Sequence, residues 1–168
     1  MSDLWNSPTV VPSVVYKDGP AAVEWLETAY GFIEREGSRL VGDTWTLTWV
    51  EVGEDGLLHL TTGGHGLTTP NESGYASQSL KVYVPDIDSH FESAKTAGAE
   101  IIFTLQDMFR GGRIYRAKDP EGHVWELSQV DIELPVEQWK LPGNSTRRWV
   151  MQSYGFSLWR NTSVEVWS

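Results

Sequence analysis

Apolar and polar residues alternate with a period of two from Thr9 to Tyr16, placing Val11, Ser13 and Val15 on one side of a strand and Val10, Pro12, Val14 and Tyr16 on the other. Pro12 has no N–H to give to a ladder, so this strand belongs at a sheet edge. After Asp18-Gly19-Pro20 the period becomes helical, with Ala22, Val23, Leu26 and Tyr30 on one face and Pro20 in the first turn. Gly31 stops the helix. Phe32 to Glu36 and Thr44 to Glu51 return to strand spacing, Gly53-Glu54-Asp55-Gly56 turns a hairpin, and Leu57 to Thr61 closes the set. Trp45, Leu47 and Trp49 share one strand face, which serves either as a ligand wall or as packing surface. Trp25 is assigned to packing.

The second half follows the same plan. Leu80 to Val84 is a short β-prone run that ends at Pro85-Asp86-Ile87-Asp88, a turn and helix start. A helix runs through Phe91 and Ala94 to Gly98. Ile101 to Phe103, Arg113 to Ala117 and His123 to Leu127 are strands, separated by turns at Gly111-Gly112 and Asp119-Pro120-Glu121-Gly122. Val15 and Val82, Gly31 and Gly98, and His59 and Glu126 stand about 67 positions apart, so the chain repeats itself as two tandem βαβββ units. The expected fold class is α+β.

Several segments carry more than periodicity. Tyr16 to Phe32, Val82 to Asp88, Ala97-Gly98-Ala99 and the run from Arg113 to Leu127 (R-I-Y-R-A-K-D-P-E-G-H-V-W-E-L) resemble the vicinal oxygen chelate superfamily, in its glyoxalase, bleomycin-resistance and dioxygenase-like group. The resemblance covers about residues 8 to 130, and the Asp-Pro-x-Gly ending with its aromatic and glutamate is its most specific part. It implies two βαβββ modules forming a curled mixed sheet around a cavity, and a homodimer. The expected organisation is a domain over residues 8–130, with modules at 8–63 and 77–130 joined by a linker at 64–76, followed by a Trp-rich extension over 131–168 that packs on the domain. The superfamily spans metal-dependent isomerases, lyases and dioxygenases as well as metal-free drug-binding proteins, so fold alone leaves the activity open.

Composition narrows the classes. The 168 residues are 40% hydrophobic and 12% aromatic, enough for a real core, and the absence of cysteine excludes disulfides, thiolate ligands and a cysteine nucleophile. No apolar run is long enough for a membrane span, and together with the missing cysteines this points to the cytoplasm. A net charge of -10, with no basic cluster beyond Arg147-Arg148, argues against nucleic acid as a partner. The same charge suits a cationic or aromatic small molecule, although solubility alone accounts for it. Gly63-Gly64-His65-Gly66 lacks the Gly-Lys-Ser/Thr and the strand-to-helix setting of a phosphate loop; it is expected to be a flexible loop capping the cavity, with His65 in reach of a ligand.

The resemblance also implies positions. Metal-dependent relatives carry one ligand on the first and one on the last strand of each module, which places Val11 and His59 in the first module and Ser79 and Glu126 in the second. Val11 cannot ligate and Ser79 is a poor donor, leaving one imidazole and one carboxylate where even open sites use about three protein ligands. No cofactor is therefore expected; a divalent metal held by His59 and Glu126 is the alternative. His59 and Glu126 are expected to converge in the cavity as the catalytic or hydrogen-bonding pair, or else as a buried pair holding the modules in register. Trp45, Trp49, Val11, Ser79, Arg113 and Tyr115 are the candidate ligand-binding residues, and Arg110 stands where relatives carry an aromatic. His123 is read as structural or surface. The expected function is small-molecule binding of the bleomycin-resistance kind, sequestering a drug or metabolite. A metal-dependent enzyme of the glyoxalase, lyase or dioxygenase type is the alternative.

Overall fold

A computed structural model describes residues 7–63, 66–109, 111–130, 134, 135 and 138. The first module runs β1 (Ser13–Val15), α1 (Gly19–Tyr30), β2 (Ile33–Glu34), β3 (Leu40–Val41), β4 (Thr46–Val52) and β5 (Gly56–Thr61). After α2 (Pro70–Ser73) the second runs β6 (Ser79–Tyr83), α3 (Ile87–Thr96), β7 (Glu100–Asp107), β8 (Arg113–Lys118) and β9 (Val124–Gln129). Each module makes one mixed sheet, in the order β1-β5-β4-β2 with β3 on β4, and β6-β9-β8-β7. In both, the first strand pairs parallel to the last. Two βαβββ modules, α+β in class, are what the repeat predicted.

Local chemistry explains most boundaries. Asp18 caps α1, its side chain accepting from the Ala21 N–H, and Gly31 ends the helix at φ 67, a left-handed conformation that costs glycine little. Strand β1 is shorter than the alternation from Thr9 suggested, because Pro8 and Pro12 cannot donate; Pro12 contributes only its carbonyl, which accepts from the His59 N–H at 2.9 Å. The edge position foreseen for this strand is observed. Thr69-Pro70-Asn71-Glu72 forms a complete capping box around α2, inside a linker expected to be irregular. The proline at the helix start and the glutamate three residues after the threonine were the available signal.

The two helices lie against each other and against one side of each sheet. Val23, Leu26 and Tyr30 of α1, Ile87 and Ala94 of α3, Val50, Leu58 and Leu60 of the first sheet and Tyr115, Ala117, Trp125 and Leu127 of the second form one buried core. Burying side chains such as Leu26 and Leu60 contributes about 1.5 to 3 kcal/mol each. Trp25 spans the junction, its Nε1 donating to the Ala97 carbonyl at 2.8 Å. With the inner sides filled, the opposite side of each sheet is left open.

The Asp119-Pro120-Glu121-Gly122 turn fastens the modules together. The buried Asp119 carboxylate accepts from Tyr16 Oη at 2.6 Å and Trp125 Nε1 at 3.0 Å, and from the backbone N–H groups of Glu121 and His123. Glu121 accepts the Lys17 N–H through both oxygens, and His123 Nε2 donates to the Val15 carbonyl at 2.7 Å. The linker joins the same seam, since Asn71 donates from its N–H to the Glu121 carbonyl and from its side chain to that of Pro120. A side chain at Gly122, where φ is 90, would run into Asn71. The stretch that carries the family resemblance most specifically is thus a structural clasp, and His123 belongs to it.

Candidate functional site

On the open side of the first sheet, β4 and β5 pair Trp49 with His59, and β1 and β5 pair Ser13 with His59. The Ser13 hydroxyl lies 3.0 Å from His59 Nδ1, and the Trp49 ring centroid 5.1 Å from the imidazole. Trp45 and Leu47 extend this surface, with Thr61 and Leu67 at its margin, enclosing a groove of about 460 Å³. Burial lowers the His59 pKa, so the ring is neutral near pH 7. Its Nε2 has no hydrogen-bond partner among the described residues. The groove is apolar and aromatic, with two neutral polar groups at its centre.

The equivalent positions of the second sheet carry charge. Lys81 pairs with Glu126 across β6 and β9, and Arg116 with Glu126 across β8 and β9. Lys81 Nζ lies 2.6 Å from Glu126 Oε1, while Arg116 Nε and Nη2 lie 2.7 and 2.6 Å from Oε2. Burial alone would raise the Glu126 pKa. Hydrogen bonds from Lys81 and Arg116, and their charges, outweigh it and hold the carboxyl below the usual glutamate value. The Arg116 guanidinium also sits 5.3 Å above the Phe103 ring. Phe103, Met108, Phe109 and Ile114 add an apolar wall, making a groove of about 410 Å³.

These registers revise where the expected residues lie. Val11 precedes β1 and Ser79 pairs with Val124, so the first-strand neighbours of His59 and Glu126 are Ser13 and Lys81, two residues further on. His59 lines the first groove and Glu126 the second, and among the described residues their hydrogen-bond and ion-pair partners are different. Trp45, Leu47 and Trp49 do share the His59 face. Arg113 and Tyr115 lie on the helix side of β8, because strand alternation turns them opposite to Arg116. Arg113 pairs with Asp88 of α3 and stands 3.8 Å from Asp107, and the fully buried Tyr115 hydroxyl is 2.7 Å from His90 Nδ1. His65 and Arg110 lie outside the described residues, as does nearly all of 131–168. Ser13, Lys81 and Arg116 were not among the expected site residues; only strand register reveals them.

With this geometry in hand, the sequence profile of the Glyoxalase/Bleomycin resistance protein/Dioxygenase superfamily matches residues 9–127, and the chain belongs to that superfamily. Among solved structures it is similar to TioX from Micromonospora sp. ML1, with 29% identity, a TM-score of 0.58, and coverage of 76% of this chain and 100% of that one. A glyoxylase/bleomycin resistance protein/dioxygenase domain from Frankia sp. EAN1pec shares the fold, with 19% identity, a TM-score of 0.59, and coverage of 74% and 98%. An uncharacterized protein of Mycobacterium tuberculosis is 26% identical over 138 residues, spanning 78% of this chain and 79% of its own. Among the described residues no helix is long and apolar enough to cross a membrane.

Proposed function

We propose that the protein binds a small, flat aromatic molecule in the groove of the first sheet, without a metal ion. The observation that carries this reading is the groove lined by Trp45, Leu47, a neutral His59 and the Ser13 hydroxyl, with the Trp49 ring packed against His59. Binding pockets combine apolar walls with a few placed polar groups, and an aromatic pair contributes about 0.5 to 1.5 kcal/mol beyond its area burial. An amine anchor would need a free carboxylate, and Glu126 is engaged by two cations, so the reading favours an aromatic over a cationic ligand.

The donor set supports the metal-free reading. The four positions hold a hydroxyl, an imidazole, an ammonium and a carboxylate whose oxygens each face a cation. A divalent ion beside Lys81 and Arg116 would meet two like charges, and the set does not fit one. The metal-dependent lyase or dioxygenase alternative loses support for the same reason. Sequestration of an aromatic drug or metabolite is the role this pocket suits, and cysteine-free composition agrees with the cytoplasm. Membership of the superfamily supports a homodimer.

Titration with 2-naphthamide, followed by tryptophan fluorescence, tests the reading. Saturable quenching that is indifferent to a chelator, and weakened by Trp49→Ala, is the expected result. Near-stoichiometric retention of zinc, manganese, nickel or iron(II) after desalting, lost in Glu126→Ala, would contradict it.

A further inference from the structure

We propose that the groove on the second sheet is an anion site, taking a small molecule with a carboxylate at one end and an apolar body at the other, the carboxylate seated between Lys81 and Arg116. The groove is lined by two cations, Lys81 and Arg116, and two carboxylates, Glu126 between them and Asp107, which is almost wholly exposed and stands 3.8 Å from Arg113, so the local excess of positive charge is confined to the Lys81-Glu126-Arg116 cluster. Glu126 holds each cation by a different oxygen, which offsets one of the two positive charges and fixes both side chains beside one another. Donors remain after that is done. The Lys81 ammonium gives one of its three N–H bonds to Glu126, and Arg116 gives its Nε and Nη2 edge while Nη1 has no partner among the described residues. Lys81 and Glu126 are about one-third and one-seventh exposed in their side chains, so the cluster is partly dehydrated yet reachable. Such a setting strengthens a charge-assisted hydrogen bond over its value in open water.

The rest of the groove specifies the body of the ligand. Phe103 is already stacked beneath the guanidinium, and Met108, Phe109 and Ile114 continue the apolar wall away from the charges. A free inorganic anion would use none of this surface. A carboxylate attached to a ring or short chain would use both parts. Among the described residues, this groove shares none with the first, so an anion here is independent of a ligand there.

Calorimetric titration of the full chain with 2-naphthoate, using neutral 2-naphthamide as control, is the test. The expected result is that 2-naphthoate binding weakens with rising ionic strength and falls at least about tenfold in Lys81→Met or Arg116→Met. Glu126→Gln, which removes the repelling charge nearest the two cations and keeps the shape, strengthens it. Binding of 2-naphthamide is unmoved by all three substitutions, which also reports that the variants are folded. Affinity for 2-naphthoate that survives both Lys81→Met and Arg116→Met overturns the proposal, as does a loss caused by Trp49→Ala instead. In the second case the carboxylate is going to the first groove, whose aromatic reading then stands without this one.

Discussion

On the first sheet Ser13, His59 and Trp49 stand side by side across three strands, and on the second Lys81, Glu126 and Arg116 occupy the equivalent places. The backbone frame is the same in both, down to the parallel pairing of first and last strands. The chemistry is not. One trio is neutral and aromatic, the other an ion cluster. Inner positions have no such freedom, because the two sheets close on one shared core through α1 and α3, and Val14, Leu60, Trp125 and Leu127 must all be apolar to fill it. A fold built of repeats constrains the faces that meet and leaves the open faces free to diverge.

The largest expected effect tests whether the modules are one folding unit, which comparing their faces presupposes. Asp119→Ala strips acceptors from Tyr16 and Trp125 in the buried seam, and urea unfolding should show a loss on the order of 3 kcal/mol in a single transition. Two separate transitions would mean that the modules are independent. Next in size is Trp49→Ala, which should weaken 2-naphthamide about tenfold by removing the ring that packs against His59 and holds it in the groove. Its counterpart Arg116→Met should leave that affinity unchanged. Glu126→Ala leaves Lys81 and Arg116 facing each other without their shared anion, and a thermal melt should record a loss of about 1 kcal/mol.

Acid should separate the faces by pH. Burial lowers the His59 pKa from 6.5, so the unfolded chain takes up this proton first. The resulting stability loss begins as pH falls below 6.5 and is complete once the folded-state pKa is passed. Glu126 is lowered from 4.5, so its contribution is fully present above that value and is lost as pH falls through the folded-state pKa. Stability measured against pH should show two windows. The upper one should shrink in His59→Ala, with the half-buried His90, whose pKa is lowered in the same way, supplying the rest, and the lower one shrink in Glu126→Gln, these being the smallest of the effects expected.

The fold was legible because its signals are local. The helix starts at Asp18 and Asp86, the left-handed glycine at Gly31 and the strand alternation each act within a few residues, and the repeat multiplied their weight. The Trp45-Leu47-Trp49 face could be read for the same reason. Site partners could not, because parallel pairing of β1 with β5 and of β6 with β9 joins strands more than 40 residues apart, and a shift of two residues keeps the face while changing the neighbour. That is how Val11 and Ser79 stood in for Ser13 and Lys81. Tyr115, a candidate ligand-binding residue from the sequence, is turned into the core by the alternation of β8. The Asp119 turn carried the strongest resemblance and was read as a turn only, since its partners Tyr16 and Lys17 lie in the other module.

Mapping 2-naphthamide by nuclear magnetic resonance decides whether the first open face is an aromatic binding surface. Shifts concentrated on the Trp45 and Trp49 indole signals and on β4 and β5, with β8 and β9 silent, are predicted. Shifts at Lys81, Arg116 and Glu126 in place of these, or no saturable shifts at all, would contradict it.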